Sequence, residues 1–146
     1  MKKLFATLVV SSLCALIAVA GAEKKPAAKI DGSWTVTSII FNGKKLPKDV
    51  LDKASHRVAF KEGMYRETIK GKVNEVGTYK IDATQNPATI DFTLSEGEDK
   101  GKMQLGIFKV DGETLTIAMG SFGAKERPKN FDGAEKVGVM VFQRDK

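Results

Sequence analysis

The chain has 146 residues, and 24 Lys and Arg against 18 Asp and Glu give it a formal net charge of +6. Acidic and basic residues are interleaved throughout, and the sequence contains neither a concentrated basic face nor a recognisable nucleic-acid module. These features argue against nucleic-acid binding, and ordinary solvated lysines are the better explanation of the charge. The length suits one domain with a substantial core.

Residues 1–22 have the pattern of a secretory signal peptide. Two lysines precede a long apolar run, and two overlapping small-residue cleavage patterns follow it, ending at Ala20 and Ala22. A retained membrane anchor is the alternative, since the run is nearly long enough to span a bilayer. We predict cleavage after Ala22 and export to the periplasm or the extracellular space. The mature chain would then have 124 residues and no membrane-spanning segment. It would also lack cysteine, because Cys14 is removed, so disulfides and thiol chemistry are excluded.

The remaining sequence predicts a flexible lead-in at residues 23–30 and one domain at residues 31–146, built almost entirely of strands. A single short helix is predicted at Pro47–Ala54, where proline suits the first turn. Period-two alternation and β-branched residues between turn signals predict eight strands: Ser33–Phe41, His56–Lys61, Met64–Lys70, Val73–Ile81, Thr89–Leu94, Lys102–Val110, Glu113–Met119 and Val137–Arg144.

Two glycine-containing turns predict hairpins with defined registers. A two-residue loop at Glu62-Gly63 pairs Phe60 with Tyr65. It also extends the pairing to Val58 with Glu67 and His56 with Ile69. A loop at Asp111-Gly112 pairs Phe108 with Leu115.

Eight short strands joined by tight turns predict an all-β, up-and-down antiparallel barrel. An open sandwich is the alternative fold. Gly32 and Trp34 head the first strand and Arg144 ends the last, so closure would place the guanidinium over the indole. We interpret these three residues as the structural closure of the barrel, with Trp34 at its floor.

Inward-facing aromatic residues and one carboxylate form the candidate ligand site. Its members are Phe60, Tyr65, Glu67, Tyr79, Phe92 and Phe108. Glu67 is either a polar anchor inside an apolar pocket or a partly exposed carboxylate near the barrel mouth. If these aromatic rings and Phe142 meet at the centre, the interior has no room for a ligand.

Apolar residues on the opposite faces of the strands predict an outer patch. Trp34, Val36, Ser38 and Ile40 share one face of the first strand. Taking Trp34, Phe108 and Phe142 as inward leaves the following residues outward: Ile39, Phe41, Leu105, Ile107, Val137, Val139 and Val141. The lead-in, the short helix or a second copy of the chain would cover this patch. A two-fold homodimer through the patch is therefore one prediction.

Catalytic and metal-binding patterns are not found in the sequence. His56 is the only histidine, and no nucleophile motif, phosphate loop or dinucleotide fingerprint appears. The acidic stretch at residues 96–99 lacks the ligand spacing of a calcium loop. We predict no metal, no cofactor and no enzymatic activity.

The order and spacing of several segments resemble the planctomycete-type lipocalin-like domain family of exported proteins. The resemblance covers nearly the whole predicted domain and rests on these segments: residues 32–34, 77–82, 86–91, 106–117, 127–128, Phe131 and 142–144. It implies a calycin-type barrel and no particular activity. Phe108 stands where such domains often have tyrosine.

Two function classes follow. The first is an exported binding protein that holds a small hydrophobic or amphipathic ligand inside the barrel. The alternative is a non-catalytic structural or protein-interaction domain of the cell envelope with a filled barrel. The volume of the barrel interior separates the two classes.

Overall fold

A computed structural model describes residues 29–146. The predicted signal peptide and residues 23–28 of the lead-in lie outside the described residues. The elements in chain order are β1 (Gly32–Phe41), β2 (Lys44–Lys45), α1 (Lys48–Ala54), β3 (Arg57–Lys61), β4 (Met64–Ile69), β5 (Lys72–Asp82), β6 (Ala88–Leu94), β7 (Met103–Asp111), β8 (Thr114–Met119) and β9 (Gly138–Arg144). The two-residue strand β2 was not predicted.

The strands form a closed antiparallel barrel. From β3 to β9 each strand pairs with the next, and β1 pairs with both β3 and β9. Eight strands therefore close the barrel. The short strand β2 pairs only with the end of β1, at Ile40 and Phe41. The predicted all-β, eight-stranded, up-and-down antiparallel, lipocalin-like barrel with one short helix is confirmed.

Helix α1 fills a gap in the barrel wall. Strand β1 pairs with β3 only from Gly32 to Thr35, so the rest of β1, up to Phe41, has no partner in the β1–β3 ladder. Leu51 of α1 is buried in the main core, and α1 leads directly back into β3. The helix therefore covers the side of the barrel where β1 and β3 diverge. Within the described ranges, no helix is long and apolar enough to cross a membrane.

The two predicted hairpins have different outcomes. Glu62 and Gly63 both have positive φ, as a type I′ turn requires, and Phe60 pairs with Tyr65 as predicted. The β3–β4 ladder ends at Arg57 with Thr68, so the predicted pair of His56 with Ile69 is not part of it.

The register predicted for the second hairpin was wrong. Phe108 pairs with Ile117 and Val110 with Leu115, because Gly112 is the first of the two central turn residues. Its φ of +56° fits glycine at the first position of a type II′ turn. The pairing shifts by two positions, so each side chain stays on its predicted face.

A β-bulge in β1 overturns two predicted side-chain directions. The pairing of β1 with β9 shifts between Val36 and Ser38. Beyond the bulge, Ile39 packs against the barrel interior and Ile40 packs against the outer cluster, the reverse of the prediction. An extra residue in one strand inverts the alternation that follows it.

The outer apolar patch is covered by the chain itself. Ile107, Ala118 and Val139 are buried outside the barrel, and Phe131 packs against them from the connection that joins β8 to β9. Arg127 on that connection donates through Nη1 to Asp91 Oδ1 at 2.6 Å and to the Gly106 carbonyl oxygen at 2.5 Å. The predicted covers did not include this connection. Homodimerisation remains a prediction.

The two ends of the barrel domain meet at its floor. Trp34 pairs with Arg144 across β1 and β9, and the guanidinium carbon lies 4.1 Å from the indole centroid. Arg144 Nη1 also donates to the Asp31 carbonyl oxygen at 2.8 Å. A Cβ on Gly32, where φ is +126°, would lie 2.7 Å from that same Nη1. Glycine is therefore needed at position 32 for the arginine to reach its place.

Burial extends one residue beyond the predicted domain boundary. Ile30, which was assigned to the flexible lead-in, is buried in the main core. Its carbonyl oxygen accepts a hydrogen bond of 2.7 Å from Trp34 Nε1. The barrel domain therefore includes Ile30.

Candidate functional site

The barrel contains a partly open cavity of about 280 Å³. It extends from Val58 and Phe60, near the floor, to the other end of the barrel, where β5 and β7 start and β4 and β8 end. The residues that line the cavity come from β3 to β9 and from the β8–β9 connection: Val58, Phe60, Tyr65, Glu67, Asn74, Glu75, Phe92, Gln104, Ile117, Met119, Phe122, Met140 and Phe142. We call this space the barrel cavity.

Aromatic rings form the deep wall of the barrel cavity. The Tyr65 and Phe92 rings meet edge to face with centroids 5.0 Å apart, and the Phe60 and Phe92 centroids are 6.3 Å apart. Phe60, Tyr65 and Phe92 are all buried. Edge-to-face packing of this kind holds the rings in defined positions. The deep end of the cavity is therefore apolar.

Two of the six predicted ligand residues lie outside the cavity lining. Tyr79 donates through its hydroxyl to Asp31 Oδ1 at 2.6 Å and packs edge to face on Phe60 at 5.2 Å. Burial, together with that hydrogen bond, raises the pKa of Tyr79 to about 12. Phe108 is fully buried in the same core. Both residues help to fill the floor half of the barrel, so they act in packing. The other four, Phe60, Tyr65, Glu67 and Phe92, line the cavity.

A second β-bulge builds the polar end of the cavity. The pairing of β4 with β5 shifts after Glu67, which pairs with Glu75, while Thr68 pairs with Val73. Asn74 is the extra residue, and both it and Glu75 line the cavity. Bulges of this kind re-aim side chains, which places two adjacent polar residues on the inner face.

Glu67 is held by two partners. Its Oε1 contacts Nε2 of the buried His56, and its Oε2 accepts a hydrogen bond of 2.7 Å from Asn74 Nδ2. Burial alone would raise the pKa of Glu67. The hydrogen bonds from His56 and Asn74 outweigh it and lower the pKa below its usual range. Glu67 is therefore a fixed carboxylate, with both oxygens engaged by the protein.

Glu75 has a different environment. Its Oε1 accepts a hydrogen bond of 2.5 Å from the Tyr65 hydroxyl, a neutral donor. Burial raises the pKa of Glu75. The hydrogen bond from Tyr65 lowers this pKa and the negative charge of Glu67 raises it further. The pKa of Glu75 is therefore raised above its usual value. Burial and the same hydrogen bond also raise the pKa of Tyr65, so its hydroxyl stays a donor.

Several lining residues were missed by the sequence analysis: Asn74, Glu75, Gln104, Met119, Phe122 and Met140. Alternation from the inward Tyr79 along β5 gives Glu75 an inward position, so the sequence pattern could have identified Glu75. The inward position of Asn74 could not be predicted, because it results from the bulge. Phe122 lies on a connection without periodicity.

The polar groups at this end of the cavity are held by one another. His56 is the only imidazole of the chain, and its Nε2 is occupied by Glu67 inside the wall. From residue 29 to the end of the described chain, no three His, Cys, Asp or Glu side chains lie close enough to hold a metal ion. An apolar chamber with a few fixed polar groups at one end is typical of a ligand pocket.

Comparisons of the chain with protein-family models, with curated proteins and with solved structures gave no match. The fold and the cavity define the class of protein as an eight-stranded, lipocalin-like barrel with an internal chamber.

Proposed function

We propose that the protein is an exported, non-catalytic binding protein that holds a small hydrophobic or amphipathic molecule inside its barrel. One observation carries the proposal, namely the cavity of about 280 Å³ with an aromatic interior and a polar end. Ligand pockets in proteins typically have volumes of ~300–1,000 Å³. This cavity lies at the lower end of that range, so it suits a small ligand.

The distribution of polar groups supports an oriented ligand. Phe60, Phe92 and Phe142 would receive the apolar part, because each is buried and lines the cavity. Glu67 and Glu75 would meet the polar part at the opposite end. A Glu67→Gln protein is then expected to bind the ligand more weakly, since the amide cannot hold His56 and Asn74 in the same way.

Export and family membership are supported by sequence alone. The pattern of residues 1–22 supports a cleaved signal peptide and an extracytoplasmic location. The segments quoted above support membership of the planctomycete-type lipocalin-like family, for which a closed barrel is the expected fold.

The structural or protein-interaction alternative has one supporting observation. Phe41 is 50% exposed and Met103 is 45% exposed, and both lie at the strand ends that surround the cavity mouth. Exposed apolar residues of this size suit contact with a partner. That alternative assumed a filled barrel, whereas the interior contains a chamber above its packed floor.

Native mass spectrometry of the protein purified from its own host tests the proposal. A bound small molecule that is released on unfolding would support the binding function. A protein that carries no small molecule, and that an apolar fluorescent probe does not enter, would contradict it. A dimer without a bound molecule would favour the interaction alternative.

A further inference from the structure

We infer that the ligand of the barrel cavity carries a positively charged head, such as an alkylamine or an alkylammonium, next to its apolar part. This inference rests on the proposed binding function and names the chemical class of its ligand. Three observations carry the inference: the charge of the cavity lining, the groove next to it and the placement of Lys136.

Acidic groups provide the charge of the cavity lining. Glu67 and Glu75 line it, and in the part of the chain that the structure describes no lysine or arginine does. Glu67 already has His56 and Asn74 as partners. Glu75 has the neutral Tyr65 hydroxyl. A ligand cation next to Glu75 would supply the positive partner that the lining lacks.

A groove of about 440 Å³ continues the cavity at its polar end. Cavity and groove share Asn74, Glu75 and Phe122, and the groove adds the carboxylates of Glu96, Glu98 and Asp99. Lys102 pairs with Asp99 at 2.5 Å, and the other carboxylates have no salt bridge among the described residues. A ligand that passes out of the apolar chamber beside Glu75 therefore enters an acidic surface.

One lysine near the mouth, Lys136, lies in a different direction from Glu75. Lys136 lines a neighbouring groove of about 370 Å³, which shares Gln104, Met119 and Phe122 with the cavity and does not include Glu75. Lys136 is exposed, so water and salt screen its charge more than that of the half-buried Glu75. An anionic head would have to turn toward Lys136, whereas a cationic head can stay beside Glu75.

Three probes with the same alkyl chain and different heads test the inference: octylamine, octanol and octanoate. Isothermal titration at neutral pH is expected to show octylamine bound at least ~10-fold tighter than octanoate, with octanol between them, a difference that corresponds to about 1.4 kcal/mol. Glu75→Gln should remove most of the preference for octylamine. Lys136→Gln is the matched control and should leave it unchanged.

Each result has a defined meaning. Equal binding of the three probes would overturn the cationic head and leave the binding function standing. Tighter binding of octanoate, lost in Lys136→Gln, would overturn it in favour of an anionic head. Failure of all three probes to bind would contradict the binding function itself, and the inference with it. Should Glu75→Gln fold poorly, Glu96→Gln and Glu98→Gln in the groove provide a second test, with a smaller loss of the octylamine preference expected.

Discussion

Glu67 and Glu75 lie directly opposite each other on β4 and β5, and the barrel shifts their pKa values in opposite directions. Two like charges in this position destabilise a sheet. His56 and Asn74 stabilise the charge of Glu67, while Glu75 accepts a hydrogen bond from the neutral hydroxyl of Tyr65. Pairs of carboxyls whose environments separate their pKa values are typical of functional sites. This relationship marks the polar end of the cavity as its chemically distinctive part.

Glu75→Gln should stabilise the protein at neutral pH. A carboxyl with a raised folded pKa favours folding below its unfolded pKa, and that contribution is lost as the pH rises through the folded pKa. Glutamine has no charge to oppose Glu67 and still accepts the Tyr65 hydroxyl. We expect a gain of about 0.5–1 kcal/mol in the free energy of unfolding by urea. The difference should disappear at pH values below the unfolded pKa of Glu75, and a loss of stability at neutral pH would contradict the assignment.

Glu67→Gln should have the opposite effect. Because its folded pKa is lowered, Glu67 stabilises the protein above its unfolded pKa, and this stabilisation is lost as the pH falls through the folded pKa. Loss of charge-assisted hydrogen bonds to His56 and Asn74 should cost about 1.5–3 kcal/mol at neutral pH. Urea unfolding at a series of acidic pH values should also show a weaker pH dependence than the wild type. Glu98→Gln, on the exposed loop, is the control that should change neither quantity.

Trp34→Ala should be among the most destabilising changes at the floor. The indole is fully buried, donates to the Ile30 carbonyl oxygen and lies under Arg144. Removal of a buried tryptophan side chain costs about 3–5 kcal/mol, measured by denaturant unfolding. Arg144→Met keeps much of the apolar contact and should cost less. A Trp34→Ala protein as stable as the wild type would show that the floor lies elsewhere.

Phe131→Ala should uncover the outer cluster of Ile107, Ala118 and Val139. The ring packs on that cluster and lies under Lys109 Nζ, 4.8 Å from the ring centroid. We expect stability to fall by about 2–4 kcal/mol, as for a partly buried phenylalanine. We also expect an increased tendency to self-associate, measured by sedimentation against concentration. If the variant keeps the sedimentation and the stability of the wild type, the connection does not cover the patch.

The strand order was accessible from the sequence because antiparallel strands with one buried face repeat every two residues. This alternation predicted the inward positions of Trp34, Phe60, Tyr65 and Phe92. Tight turns such as Glu62-Gly63 indicated which strands are neighbours. The closure of the barrel followed from the count of eight.

The bulges and the chamber were not accessible from the sequence. A bulge needs one unpaired residue, and nothing in the composition around Thr37 or Asn74 distinguishes it from ordinary alternation. Both errors on Ile39 and Ile40 follow from this. The chamber depends on how Phe108 and Tyr79 pack beneath it, and periodicity gives a side chain its face without giving its depth. Phe122 and Phe131 lie on a connection, where no period indicates what they contact.

A cavity-filling variant tests the central claim most directly. Val58 lines the chamber, and its neighbour Ala59 is exposed on the same strand. Titration with an apolar fluorescent probe should show binding to the wild type and to Ala59→Phe, and binding weakened at least ~10-fold in a folded Val58→Phe protein because the added ring occupies the chamber. Equal binding by all three proteins would contradict the account, since the probe would then lie outside the barrel.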